Sequence, residues 1–121
     1  MNWQKDCAYN EEQKKWFHTI ARRRLRLLAA ELHFDKDQYD IRSNQGGVAV
    51  SGEVTLHHER IYIQASQSAL GKDMGILVRT CEGRRDYTGG MNNWLPLTAL
   101  DNRGPLITLV KSLLKSPVPN S

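Results

Sequence analysis

The chain has 121 residues, 40% of them hydrophobic and 25% charged, which is the composition of one globular domain with one core. It excludes a disordered tail, a collagen-like fibre and a disulfide-rich mini-protein. Lys and Arg number 17 against 13 Asp and Glu, a net charge of +4 that permits an acidic partner without demanding one.

The first expected element is a helix from about Glu11 to Leu32. Asn10 suits the N-cap, with Gln13 in the capping-box position, and Glu11 and Glu12 suit the positive end of the dipole. Phe17, Ala21, Leu25, Leu28 and Leu32 recur at spacings of three and four and define the buried stripe, widened by Ile20 and Leu27. Arg22, Arg23 and Arg26 project away from it. Arg24 falls inside the stripe at about 100° per residue, and so does Glu31. Both are therefore expected to face the protein and to be paired, with each other or with the sheet, because an unpaired buried charge costs several kcal/mol.

The periodicity then changes to two. Tyr39–Ser43 reads as a first strand and Asn44-Gln45-Gly46-Gly47 as a hairpin turn. From Val48 to His57 the chain alternates, with Val48, Val50, Gly52, Val54 and Leu56 on one face. Gly52 suggests a bulge or a close crossing. Arg60–Ser66 is a third strand, with Ile61, Ile63 and Ala65 inward and Tyr62, Gln64 and Ser66 outward. Gln67–Asp73 reads as a loop and Met74–Cys81 as a fourth strand, with Leu77 and Arg79 opposite Ile76 and Val78. Four strands joined by short connections make an antiparallel meander with one apolar face.

Glu82–Asn93 is a long polar loop, after which Trp94-Leu95-Pro96-Leu97 re-enters the core and Leu97–Asp101 makes a helical turn. A last helix begins near Pro105, with Leu106, Val110, Leu113 and Leu114 on its apolar face. The expected fold is α+β: a four-stranded antiparallel meander covered on one face by a long N-terminal helix and a shorter C-terminal one, in the order α-β-β-β-β-α. It is read as a single domain over 1–114 followed by a flexible tail, 115–121, with two prolines.

Two stretches suggest function. Arg22, Arg23 and Arg26 form a cationic helix face, which can track phosphates or merely keep a helix solvated. The segment from Arg84 to Trp94 carries Arg84, Arg85, Asp86, Tyr87, Asn92, Asn93 and Trp94 around two glycines. Arginine, tyrosine and tryptophan dominate binding hot spots, although Asn, Asp and Gly are also ordinary turn residues. Together these residues are the expected binding site. His57 and His58, adjacent in a strand, point to opposite faces and cannot share a metal without a turn between them. Cys7 and Cys81 are far apart, and free thiols are expected of both. Neither a metal-ligand spacing nor a cofactor-binding motif is present, so no cofactor and no metal are expected. The first residues lack an apolar core, so a cleaved export signal is not expected, and no apolar run suits a membrane helix; the expected location is the cytoplasm.

The leading expectation is a non-enzymatic binding module that contacts nucleic acid or another acidic partner through the Arg84–Trp94 loop and the basic face of the first helix. Second comes a protein–protein adaptor or inhibitor, with homodimerisation as a variant, using Trp3, Trp16 or Tyr62; here Tyr62, Gln64 and Ser66 form a platform if the outer sheet face is open. Third comes an enzyme using Cys81 or Asp86 with a histidine.

Overall fold

A computed structural model describes residues 11–44, 52–66, 75–83 and 90–115. The Asn10 cap, the Gln13 side chain, the Asn44–Gly47 turn beyond Asn44, the alternation over 48–51, the loop over 67–73 and the tail beyond Lys115 lie outside the described residues, as do Trp3 and Cys7.

Helix α1 spans Glu11–Glu31. Phe17, Ala21, Leu25, Leu28 and Ala29 are fully buried along one side, as their spacing requires. The helix stops at His33, whose φ of 60° lies in the left-handed region. His33 N donates to Ala30 O and Phe34 N to Ala29 O, the paired bonds that close a helix when one residue turns left-handed. Histidine in place of glycine there carries a steric cost. Phe34 is thereby aimed at the sheet, where its ring stacks on His58 with centroids 4.1 Å apart.

Among the described residues, five strands follow in an antiparallel meander, β1-β2-β3-β4-β5. They are β1 Tyr39–Asn44, β2 Glu53–His58, β3 Ile61–Ala65, β4 Ile76–Thr80 and β5 Asn93–Leu95. The expectation of four strands is corrected here. Asn93 and Leu95 pair with Val78 and Ile76, so the chain after the long loop adds an edge strand to the sheet as it returns to the core. Gly52, just before β2, has a φ of 70°, a conformation that glycine reaches without strain. The 3-10 turn η1 occupies Leu97–Leu100, and helix α2 occupies Gly104–Lys115, one residue into the segment read as tail.

The register sorts the side chains into two sets. Ile41, Leu56, Ile63, Val78 and Asn93 lie in one row across the sheet, with Ser43, Val54, Ala65, Ile76 and Leu95 in the next. The apolar members of these rows join Phe17, Leu25, Leu28, Leu97, Leu100, Leu106 and Val110 in a single core, so both helices cover the same face. Burying each large side chain contributes roughly 1.5–3 kcal/mol.

Arg24 and Glu31 are paired, but with neither each other nor the sheet. Arg24 Nε meets Asp101 Oδ1 at 2.8 Å, and Arg103 donates from Nε to Glu31 Oε1 at 2.7 Å. Both partners lie in the connection between η1 and α2, which is strapped to the side of α1. At the other end of α2, Arg60 Nη2 donates to Leu114 O at 2.7 Å and satisfies a terminal carbonyl.

Candidate functional site

The arginine run of α1 divides by position. Arg24 is held by Asp101, whereas Arg22, Arg23 and Arg26 are exposed. Among the described residues no carboxylate pairs with any of these three. With Thr19 and Leu27 they line an open cleft of about 490 Å3. Positions 19, 22, 23, 26 and 27 fall on one side of a helix by the three-and-four rule, opposite the buried stripe. Exposed Lys15 continues that side, and at about 1.5 Å per residue Lys15 and Arg26 are separated by about 16 Å along the axis. The result is a row of cations pointing away from the core. Sequence reasoning found the arginines, missed Thr19 and placed Leu27 on the buried stripe; that placement is corrected, since Leu27 is 42% exposed and at about 100° per residue falls on the arginines' side.

Of the Arg84–Trp94 segment, Arg84, Arg85, Asp86 and Tyr87 lie outside the described residues. The end of the segment is built against β4. Gly90 N donates to Thr80 O at 3.0 Å, and a Cβ on Gly90 would stand 2.4 Å from Thr80 Oγ1. The second of the two glycines thus serves close backbone approach. Asn93 faces the helices' side of the sheet, and its Nδ2 donates to the carbonyls of Val78 and Met91, at 3.2 and 3.1 Å. That amide is structural. Asn92 is exposed, and Trp94 points to the opposite face at 46% exposure, beside Met91 at 83%.

The face away from the helices carries two rows. One is Asp40, His57, Tyr62 and Arg79; the other is Arg42, Thr55, Gln64, Leu77 and Trp94. His57 Nε2 and Thr55 Oγ1 are 2.8 Å apart, and the His57 ring stands edge-on to Tyr62 with centroids 5.3 Å apart. Tyr62 Oη donates to Gln64 Oε1 at 2.9 Å. Arg79 lies over the Tyr62 ring, 4.3 Å from its centroid. His57, Tyr62 and Arg79 are all buried, so the expected open platform at Tyr62 is not present. Trp16 likewise packs against the core. Arg79 was read only as an outward residue; a lone arginine in a strand as apolar as Ile76–Thr80 was the available signal.

The two histidines do point to opposite faces. His58 stacks on Phe34, and its Nδ1 accepts from Arg60 N at 3.1 Å. The Cys81 thiol donates to the backbone carbonyl of His58 at 3.2 Å. A nitrogen already accepting an N–H is poorly placed to act as base for that thiol. Asp86 lies outside the described residues. Among them, no helix is long and apolar enough to cross a membrane, and no group of three or more His, Cys, Asp or Glu is placed to hold a metal ion. No protein-family model, curated protein or solved structure matches the chain.

Proposed function

We propose that the protein is a non-enzymatic binding module that holds nucleic acid against the outer side of α1; Trp94 at the end of the Arg84–Trp94 loop, on the sheet face turned away from α1, offers a separate contact surface. The observation that carries this reading is the division of the arginine run: Arg24 is neutralised by Asp101, while Arg22, Arg23 and Arg26 line a cleft with no described carboxylate against them. Guanidinium groups on one rigid face match closely spaced phosphates, and releasing the phosphates' counterions drives such binding without sequence readout. The cytoplasm, where Cys81 remains a free thiol, is the setting of this reading.

The test is fluorescence anisotropy with labelled single- and double-stranded oligonucleotides at about 50 and 200 mM salt. The wild-type chain should bind at the lower salt and weaken steeply at the higher. Replacing Arg22, Arg23 and Arg26 together by Gln removes three surface cations. If each meets a phosphate of duplex DNA, the slope of log K against log salt should flatten by about 2.7. Absence of binding at low salt, or an unchanged slope in the triple variant, overturns the proposal. Exposed Trp94 on edge strand β5, three residues after exposed Met91, favours the second reading, a protein–protein contact. A dimer mass by light scattering, together with no oligonucleotide binding, would point there instead.

A further inference from the structure

The sheet face turned away from both helices holds a cation that the fold leaves incompletely satisfied. Arg79 is 7% exposed, and its Nη1 is shut off from solvent without a hydrogen-bond acceptor. A guanidinium keeps its charge throughout the working pH range, and burying a charge without a counter-charge is costly. The Tyr62 ring beneath Cζ offsets part of the lost hydration through its negative face. A ring face offers nothing, however, to N–H groups lying in the guanidinium plane.

The neighbours make the shortage specific. Tyr62 is directly opposite Arg79, while Leu77 is opposite both Gln64 and Trp94. Gln64 and Trp94 therefore stand diagonally on either side of Arg79, at the separation that long side chains bridge. Tyr62 Oη occupies the amide oxygen of Gln64, which leaves that side chain's NH2 as a donor. The indole of Trp94 has an N–H and no acceptor. Among the described residues, Arg79 Nη1, the Gln64 NH2 and the Trp94 indole N–H are thus donors grouped around Leu77, and one of their groups is positively charged. What fits a cationic cluster of donors is a group with negative charge and lone pairs to accept from them. The contacts of His57 with Tyr62 and Thr55 hold the ring on which Arg79 rests.

We infer that the outer face of β3, β4 and β5 is an oxyanion-binding site for the phosphate or carboxylate of a small molecule. Arg79 supplies the charge, Gln64 an amide donor, and the half-exposed Trp94 ring a surface for a planar portion of the ligand. This face lies on the side of the sheet opposite α1, so the site is independent of the arginine cleft.

The full-length protein is titrated with sodium phosphate, sodium acetate and adenosine monophosphate, with ionic strength held constant by sodium chloride. NMR follows the Arg79 Nε–H and Trp94 indole N–H signals. Both should shift saturably with at least one of the three anions. A tighter midpoint for the nucleotide than for phosphate identifies stacking on Trp94, and equal midpoints identify the oxyanion alone. Arg79→Lys retains charge but loses the planar fork, and should weaken binding by at least about tenfold. Replacing the three arginines of α1 by Gln should leave the midpoint unchanged. Failure of every anion to give a saturable shift, or an unaltered midpoint in Arg79→Lys, overturns the inference. Gln64→Leu keeps the test decisive should Arg79→Lys not fold: it should weaken binding severalfold, and an unchanged midpoint again overturns the assignment.

Discussion

The two faces of the sheet are built from the same strands to opposite rules. On the helices' side Val54, Leu56, Ile63, Ile76 and Val78 are fully buried and purely apolar. One residue further along each strand, Thr55, His57, Tyr62 and Arg79 are also less than 10% exposed, yet they are polar or aromatic and engage one another by hydrogen bonds and ring contacts. Low exposure therefore means different things on the two sides. The inner face gains stability in proportion to area removed from water, whereas the outer face gains only where each polar group finds a partner.

Substitutions at adjacent or opposite positions can break this contrast. Ile63→Ala opens a cavity in the inner layer and should cost about 2–5 kcal/mol by chemical denaturation. Tyr62→Phe, its neighbour on the other face, removes one hydrogen bond to Gln64 and should cost about 0.5–1.5 kcal/mol. Equal losses would mean that the two faces are energetically alike. Val54→Thr and Thr55→Val form a sharper pair, since each exchanges a methyl for a hydroxyl, or the reverse, at nearly constant volume. Val54→Thr introduces a hydroxyl into an apolar layer and should cost about 1–3 kcal/mol. Thr55→Val breaks the contact with His57 and should cost about 1 kcal/mol. The smallest effect is expected outside the sheet. Arg24→Ala removes a part-exposed ion pair with Asp101 and should lower stability by about 0.2–1 kcal/mol, less at high salt.

Much of the architecture was legible because the hydrophobic period changes cleanly from 3.6 to 2 after α1, and alternation runs through β2, β3 and β4. Strand β5 was not legible: three residues, Asn93–Leu95, followed by Pro96, are too few to show alternation. That Arg24 and Glu31 would be paired followed from helix geometry, but neither is buried: both lie at the part-exposed side of α1. Their partners Asp101 and Arg103, more than 70 positions away, depend on how the chain returns. For the outer face, alternation told which residues share a side but not whether that side is open. Tyr62 and Arg79 therefore take the outer side with its exposure left open, and both are buried. The arginine cleft was half visible for a related reason: the side on which Arg22, Arg23 and Arg26 lie is local, whereas their lack of described partners is a property of the fold.

The straps from the η1–α2 connection to α1 also bear on the order of events at the ribosome. Asp101 follows Arg24 by 77 residues. At about 5–20 residues added per second, α1 is synthesised on the order of 4–15 s before that partner exists. Throughout that interval the nascent helix displays its arginine row without the ties that later hold it, and its final orientation waits on a segment made 77 residues later. A chain ended at Leu95 should therefore leave α1 open to proteolysis that the full-length chain resists.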